Sequence, residues 1–169
     1  MNTILKLNPD NITDEVAAGL KKRFAARGVV FDENKNVALL PVSTHNYYKL
    51  PGGGIEEGED MIDAFRRECL EEIGFDVEVI SELGSVVEYR MEFGRVQTSY
   101  CFVGKTIGER KETALTEHEM SQGFKEPMWV SIDEALELMK SQANNYEGKF
   151  IIERDTLLLQ KVKELGIDL

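Results

Sequence analysis

Between Gly52 and Phe75 the chain has to fold a helix that repels itself. Met61, Phe65, Cys69 and Ile73 recur at four-residue steps, with Ile62 and Leu70 widening the stripe. Residues 60–73 therefore read as an amphipathic helix with one buried face. Gly74 follows the last periodic residue, where a left-handed C-cap favours glycine. On the remaining surface Glu68 stands three residues from Glu71 and four from Glu72, so three carboxylates crowd together. Like charges at these spacings destabilise a helix by roughly 0.2–0.5 kcal/mol per pair, and Gln or Lys would form helix nearly as well. The segment holds eight acids against two bases, −6 in 24 residues, whereas the other 145 residues carry only −5 of the total −11. Hard divalent cations such as Mg²⁺ or Mn²⁺ would account for the crowding, because they take charged oxygen ligands. A solvated acidic helix face is the plainer alternative.

Just upstream, Gly52-Gly53-Gly54 reads as a loop whose amides and carbonyls can approach the same ions, or a phosphate, without a Cβ in the way. Spacing excludes two other glycine-rich sites. No Gly-Lys-Ser/Thr follows to make a nucleotide P-loop, and Glu57 stands where the dinucleotide fingerprint needs glycine.

Around this segment the chain alternates strands and helices, which places it in the α/β or α+β class. Ile4–Leu7 reads as a short strand and Thr13–Leu20 as a short helix, within an N-terminal segment, 1–20, of ambiguous pattern. Arg23–Phe31 and Val37–Val42 flank the turn-rich Asp32–Asn36, a hairpin signature. Tyr47–Leu50 is extended ahead of Pro51. Val77–Arg90 and Val96–Thr106 read as strands, and Gly123–Val130 as extended. Ser131-Ile132-Asp133-Glu134 is a capping box opening a helix to about Lys140. A terminal helix is expected over 148–165, with Ile151, Leu158, Val162 and Leu165 on one face and Gly166 as its stop. Such a helix covers the sheet or builds a homodimer contact; the sequence leaves both open.

Composition removes several function classes. The longest apolar run, Val37–Val42, is far short of the ~18 residues of a membrane span, and the apolar stretch before Asn8 is too short for a secretion signal. Twenty Lys and Arg against 31 Asp and Glu is the wrong balance for a nucleic-acid binder. Two cysteines, Cys69 and Cys101, outside any CxxC pair, read as reduced core residues of a cytoplasmic protein. Two histidines, His45 and His118, speak against a His-based zinc site.

The stretch Gly53-x5-Glu59-x7-Arg67-Glu68-Cys69-Leu70-Glu71-Glu72-Ile73-Gly74-Phe75 resembles the Nudix box, Gly-x5-Glu-x7-Arg-Glu-U-x-Glu-Glu-x-Gly-U, with U bulky and apolar. All seven fixed positions are present, and Cys69 at the first U position is the sole departure. The resemblance implies a single MutT-like Nudix domain over 1–169, with the box at 52–75 and a C-terminal helix at 148–166. It implies an α/β/α sandwich around a mixed sheet, carrying the box as a loop–helix–loop. It further implies a Mg²⁺- or Mn²⁺-dependent pyrophosphohydrolase that cleaves a nucleoside diphosphate linked to another moiety. Glu68, Glu71 and Glu72 are then the metal ligands, joined by the Gly52 carbonyl. Arg67 orients the carboxylates, Glu59 and Gly74 are structural, and Gly53 and Gly54 face the substrate. Two readings compete: a pyrophosphatase of (modified) nucleoside triphosphates, and a non-catalytic nucleotide-sensing module. The intact set of glutamates, and a length that leaves no room for an appended DNA-binding domain, favour the enzyme.

A general base is sought outside the box. Glu117 and Glu119 lie in a polar connection between strands, and Glu119 is preferred. Tyr47, Tyr48, Tyr89, Phe93 and Trp129 could stack on a base, and Arg23, Arg27, Lys49, Arg90 and Arg95 could touch phosphate, although packing and surface roles suit each of them as well.

Overall fold

Strand parity divides the core into two layers. The computed structural model describes residues 1–166; the last three residues of the expected 1–169 domain lie outside the described residues. In β2 (Lys21–Phe31) and β3 (Val37–Val42), Ala26, Val30, Ala38 and Leu40 face one side, while Val29, Phe31, Val37 and Leu39 face the other. The first side packs against Ala64, Phe65, Cys69 and Ile73 of α2 (Met61–Ile73). The second packs against Ala135 and Met139 at α4 (Ile132–Leu138), and Leu158, Leu159 and Val162 of α5 (Tyr146–Leu165). The result is the expected sandwich of helices around a sheet.

The sheet is mixed. Its order is β1-β6-β7-β2-β3-β4, with β1 Thr3–Leu7, β4 Tyr47–Lys49, β6 Asp76–Arg90 and β7 Arg95–Ile107. β6 and β7 form a long antiparallel hairpin, whereas β7 with β2, and β1 with β6, run parallel. A short helix α1 (Asp14–Ala18), capped by the Thr13 hydroxyl, links β1 to β2. Cys69 and Cys101 are buried free thiols.

Several local expectations are corrected. Gly52–Gly54 is a strand, β5, paired antiparallel with Ala25–Arg27 of β2; bare glycines let the backbones close. That pairing takes up the edge of β2, so the β2–β3 hairpin registers only at Phe31 and Val37 before β3 leaves to pair with β4 and β8 (Met128–Val130). The polar connection holds a short helix, α3 (Glu117–Ser121), and only 128–130 of the expected 123–130 stretch is strand. α4 stops at Leu138, and α5 starts at Tyr146, capped by the Asn145 side chain, rather than at 148. Leu165, placed on the buried face by periodicity, is 61% exposed because the helix has run past the sheet.

Candidate active site

α2 presents two faces to the protein, not one. Phe65, Cys69 and Ile73 enter the core as their spacing requires, and Glu68 and Glu72 are buried beside them. Asp60 caps the start of the helix through Ile62 N, and Gly74 closes it at φ 76°. Burial of a carboxylate is costly unless it is paired, and Glu72, 1% exposed, is paired twice. Its Oε1 accepts from Lys49 Nζ at 2.6 Å and its Oε2 from Gly52 N at 2.7 Å. Burial pushes the Glu72 carboxyl up to about 7, against the pull of the Lys49 ammonium and the Gly52 amide. The same ammonium reaches the Gly52 carbonyl at 3.1 Å, so a positive group already bridges Glu72 and the backbone that the sequence nominates for metal.

Gly53 is tied to Glu68 by space. A Cβ there would sit 2.4 Å from Glu68 Oε2, so the glycine is what lets the carboxylate lie over the strand. At Gly52, φ +137° and contacts of 2.3–2.4 Å with β2 admit no side chain. Gly53→Ala is therefore expected to displace the Glu68 carboxylate while sparing the fold. Misplacing a reacting constellation by about 1 Å can cost about 10²-fold in kcat, while a strain-free Gly→Ala change alters stability by only about 1 kcal/mol. Paired turnover and thermal-unfolding measurements on this variant check the split. Unchanged turnover would mean that the position of Glu68 is immaterial.

Arg67 gathers the opposite side. Its Nε and Nη2 donate to the two Glu59 oxygens at 2.8 and 3.0 Å, its Nη1 to Glu68 Oε1 at 3.0 Å and Glu71 Oε2 at 3.3 Å, and its Nη2 also to the Gly54 carbonyl at 2.9 Å. Bonding to Arg67 holds the Glu59 carboxyl below its ordinary value. Burial, with Glu68 and Glu119 near, pushes Glu71 up in spite of Arg67.

Glu119 arrives from far along the chain. The long connection after β7 is laced to the end of α2, Lys111 N donating to Gly74 O at 2.7 Å and Ala114 N to Glu71 O at 2.8 Å. At its far side Ser43 N and Oγ hold the Gly123 carbonyl at 3.0 and 2.8 Å. Between these anchors α3 is a reciprocal capping box: Thr116 N donates to Glu119 Oε2 at 2.7 Å, and Glu119 N to Thr116 Oγ1 at 3.2 Å. The Thr116-x-x-Glu119 spacing carried that signal. Glu68, Glu72 and Glu119 each bring one carboxylate oxygen within 4.8 Å of the others. Glu71 is not among these three; it stays on the Arg67 side.

Two of the three, Glu68 and Glu119, line a cleft of about 200 Å³ together with Gly52–Gly54, Tyr47, Lys49, Phe124 and a set of arginines. Arg23, Arg27 and Arg90 of the sequence candidates line it, and Arg154, which sequence reasoning did not select, lines it too. Of the candidate stacking residues Tyr47 alone lines this cleft: Tyr89 contacts Lys6 and Asp14, Phe93 packs on Tyr146, and Trp129 packs edge-on against Phe75.

Comparison with known proteins agrees with this architecture. The NUDIX domain family model matches residues 21–151. A Proteus vulgaris protein named 8-oxo-dGTP diphosphatase is 39% identical over 70 residues, 39% of this chain and 62% of the relative, so the match spans less than two thirds of that relative. A Wolbachia pipientis protein named RNA pyrophosphohydrolase is 30% identical over 118 residues, 63% of this chain and 72% of the relative. Among solved structures, a NUDIX hydrolase from Nitrosomonas europaea superposes with a TM-score of 0.63 at 21% identity, covering 86% of this chain and 89% of that one. With the family model covering most of its length and the box lying intact on α2, the chain belongs to the Nudix family.

Proposed function

We propose that this single-domain protein is a Mg²⁺- or Mn²⁺-dependent pyrophosphohydrolase that cleaves a nucleoside diphosphate linked to another moiety. The observation that carries the reading is the convergence of Glu68, Glu72 and Glu119, with Glu68 and Glu119 lining a cleft. Three charged oxygens at this separation are a hard donor set, fitted to Mg²⁺ or Mn²⁺ rather than to a soft metal. Glu68 and Glu72 would hold the ions, with Glu71 and the Gly52 carbonyl in supporting positions once the Lys49 ammonium yields. Bound divalent ions would supply charge neutralisation of the phosphates and acidify an attacking water.

The chain's own groups do the rest. Arg67 fixes Glu68 through a hydrogen bond and spans to Glu59, so the carboxylate cannot turn away. The backbone of Gly53 and Gly54 leaves room for phosphate oxygens beside it. Glu119 can take the proton of the attacking water when the substrate displaces its bonds to Thr116. The relatives named above act on 8-oxo-dGTP and on RNA by their names, so nucleoside triphosphates and a 5′-triphosphate RNA end belong in the substrate panel. A non-catalytic sensor does not need three converging carboxylates.

Removal and return of the ion tests the reading. EDTA is expected to abolish hydrolysis of every panel compound, and Mg²⁺ or Mn²⁺ to restore it, with monophosphate products followed by phosphate-selective chromatography. Hydrolysis that persists in EDTA, or no hydrolysis of any pyrophosphate compound with either ion, would contradict it.

A further inference from the structure

Behind the triad, the apolar layer between the sheet and α5 turns polar. Along the same strand faces that carry Val29, Val86 and Cys101 stand Arg27, Glu88, Arg90, Gln97 and Ser99, all buried. Arg154 of α5, fully buried, completes the group. Glu88 accepts from Arg90 Nη2 at 3.2 Å, Arg154 Nη1 at 3.2 Å and Gln97 Nε2 at 2.8 Å. Asp155 accepts from Arg154 Nε at 2.7 Å, and Glu147 pairs with Arg90 and with Arg95.

The charges do not balance. Five arginines, 23, 27, 90, 95 and 154, meet three carboxylates, Glu88, Glu147 and Asp155. Arg23 and Arg27 have neutral partners: Arg23 donates to Gln97 Oε1 at 2.5 Å and Arg27 to Ser99 Oγ at 3.2 Å. Neither makes an ion pair within 4.0 Å among the described residues. Three further donors of these arginines, Arg90 Nε, Arg95 Nε and Arg154 Nη2, find no acceptor among the described residues. Burial and the neighbouring Arg154 bring Arg27 down to about 10, still protonated at neutral pH. Glu68 and Glu119 share the cleft, but Glu68 is bonded to Arg67 and Glu119 to Thr116, and neither lies within ion-pair distance of Arg23 or Arg27. Two positive charges, with the unsatisfied donors of Arg90 and Arg154, thus line a cleft of about 200 Å³. Arg27 is buried and Arg23 half-buried, and a buried charge is costly until an anion meets it.

We propose that this arginine-lined chamber receives a phosphate monoester of the substrate, remote from the scissile diphosphate. The inference rests on the metal reading of the triad. A dianion matches the two unmatched charges, and guanidinium forks bind phosphate oxygens bidentately. A neutral base or sugar would leave both charges unmet, and the small chamber suits a low-molecular-weight nucleotide that carries one phosphate more than its diphosphate.

Calorimetric titration of inorganic phosphate into the full chain, kept metal-free with EDTA, tests the chamber. One-to-one saturable binding is expected, retained in Glu68→Gln, weakened at least about tenfold in Arg27→Gln and partly recovered in Arg27→Lys. Should Arg27→Gln fail to fold by circular dichroism, Arg23→Gln is to show the same weakening. No saturable binding by the metal-free wild type, or binding unchanged in the folded variant, overturns the proposal. Mg²⁺-dependent turnover without phosphate binding overturns the chamber alone. Phosphate binding without any turnover supports the chamber and overturns only the hydrolase reading.

Discussion

Glu68→Gln is expected to lower kcat by about 10²-fold or more under saturating Mg²⁺ while leaving the fold intact. The estimate follows from charge: losing ~3 kcal/mol of ion-mediated transition-state stabilisation is about 10²-fold in rate. Glutamine keeps the shape and one acceptor, so the Arg67 bond at 3.0 Å can survive. Glu68 is a cleaner probe than Glu72, because Glu72 also secures Lys49 and the Gly52 amide, and its loss would mix stability with catalysis. Near-native turnover in Glu68→Gln would remove Glu68 from the ion site. If kcat falls but extra Mg²⁺ restores it, the residue governs ion affinity alone.

The second large effect is expected on stability. Glu88 is fully buried and is the one acceptor shared by Arg90, Arg154 and Gln97. Removing one member of a buried charge network leaves the others uncompensated, typically at a cost of about 3–5 kcal/mol. Glu88→Gln should therefore lower the thermal midpoint by about 10 °C. Burial by itself would push the Glu88 carboxyl up, but Arg154, Arg90 and Arg27 outweigh it and hold it below the ordinary 4.5. A carboxyl depressed in the folded state adds stability above its unfolded value, and that part is lost as pH falls through the folded value. Wild type should thus lose stability below about pH 4.5 more steeply than Glu88→Gln does. Chemical denaturation of both proteins across acid pH checks this; parallel curves would show that Glu88 is not the ionised hub of the network.

How much of this was legible in the sequence depends on which physics each residue answers to. The box was legible because glycine, arginine and glutamate at fixed steps on one helix are costly choices with a chemical reason. Gly53 shows the limit: its spacing named it, but only the 2.4 Å approach to Glu68 explains it. Glu119 was singled out from a polar stretch, yet the helix holding it went unseen, since a five-residue helix has little periodicity. Its capping box with Thr116 was the available signal. Arg154 was passed over because it lies within the apolar stripe of Ile151, Leu158 and Val162, where a hydrophobic reading attends to the apolar positions. An Arg-Asp pair inside such a stripe is itself evidence of a buried polar site. The crossing of β5 onto β2 depends on contacts remote in sequence, which local pattern does not contain.

Catalysis by this site requires that cations occupy the space between Glu68, Glu72 and Glu119. Calorimetric titration of Mn²⁺ into the wild type and the Glu68→Gln/Glu72→Gln double variant measures this without any substrate. Saturable, stoichiometric binding by the wild type that disappears in the double variant is the predicted result. Weak, unsaturated binding of equal strength in both would contradict it, leaving α2 an acidic surface with no ion site.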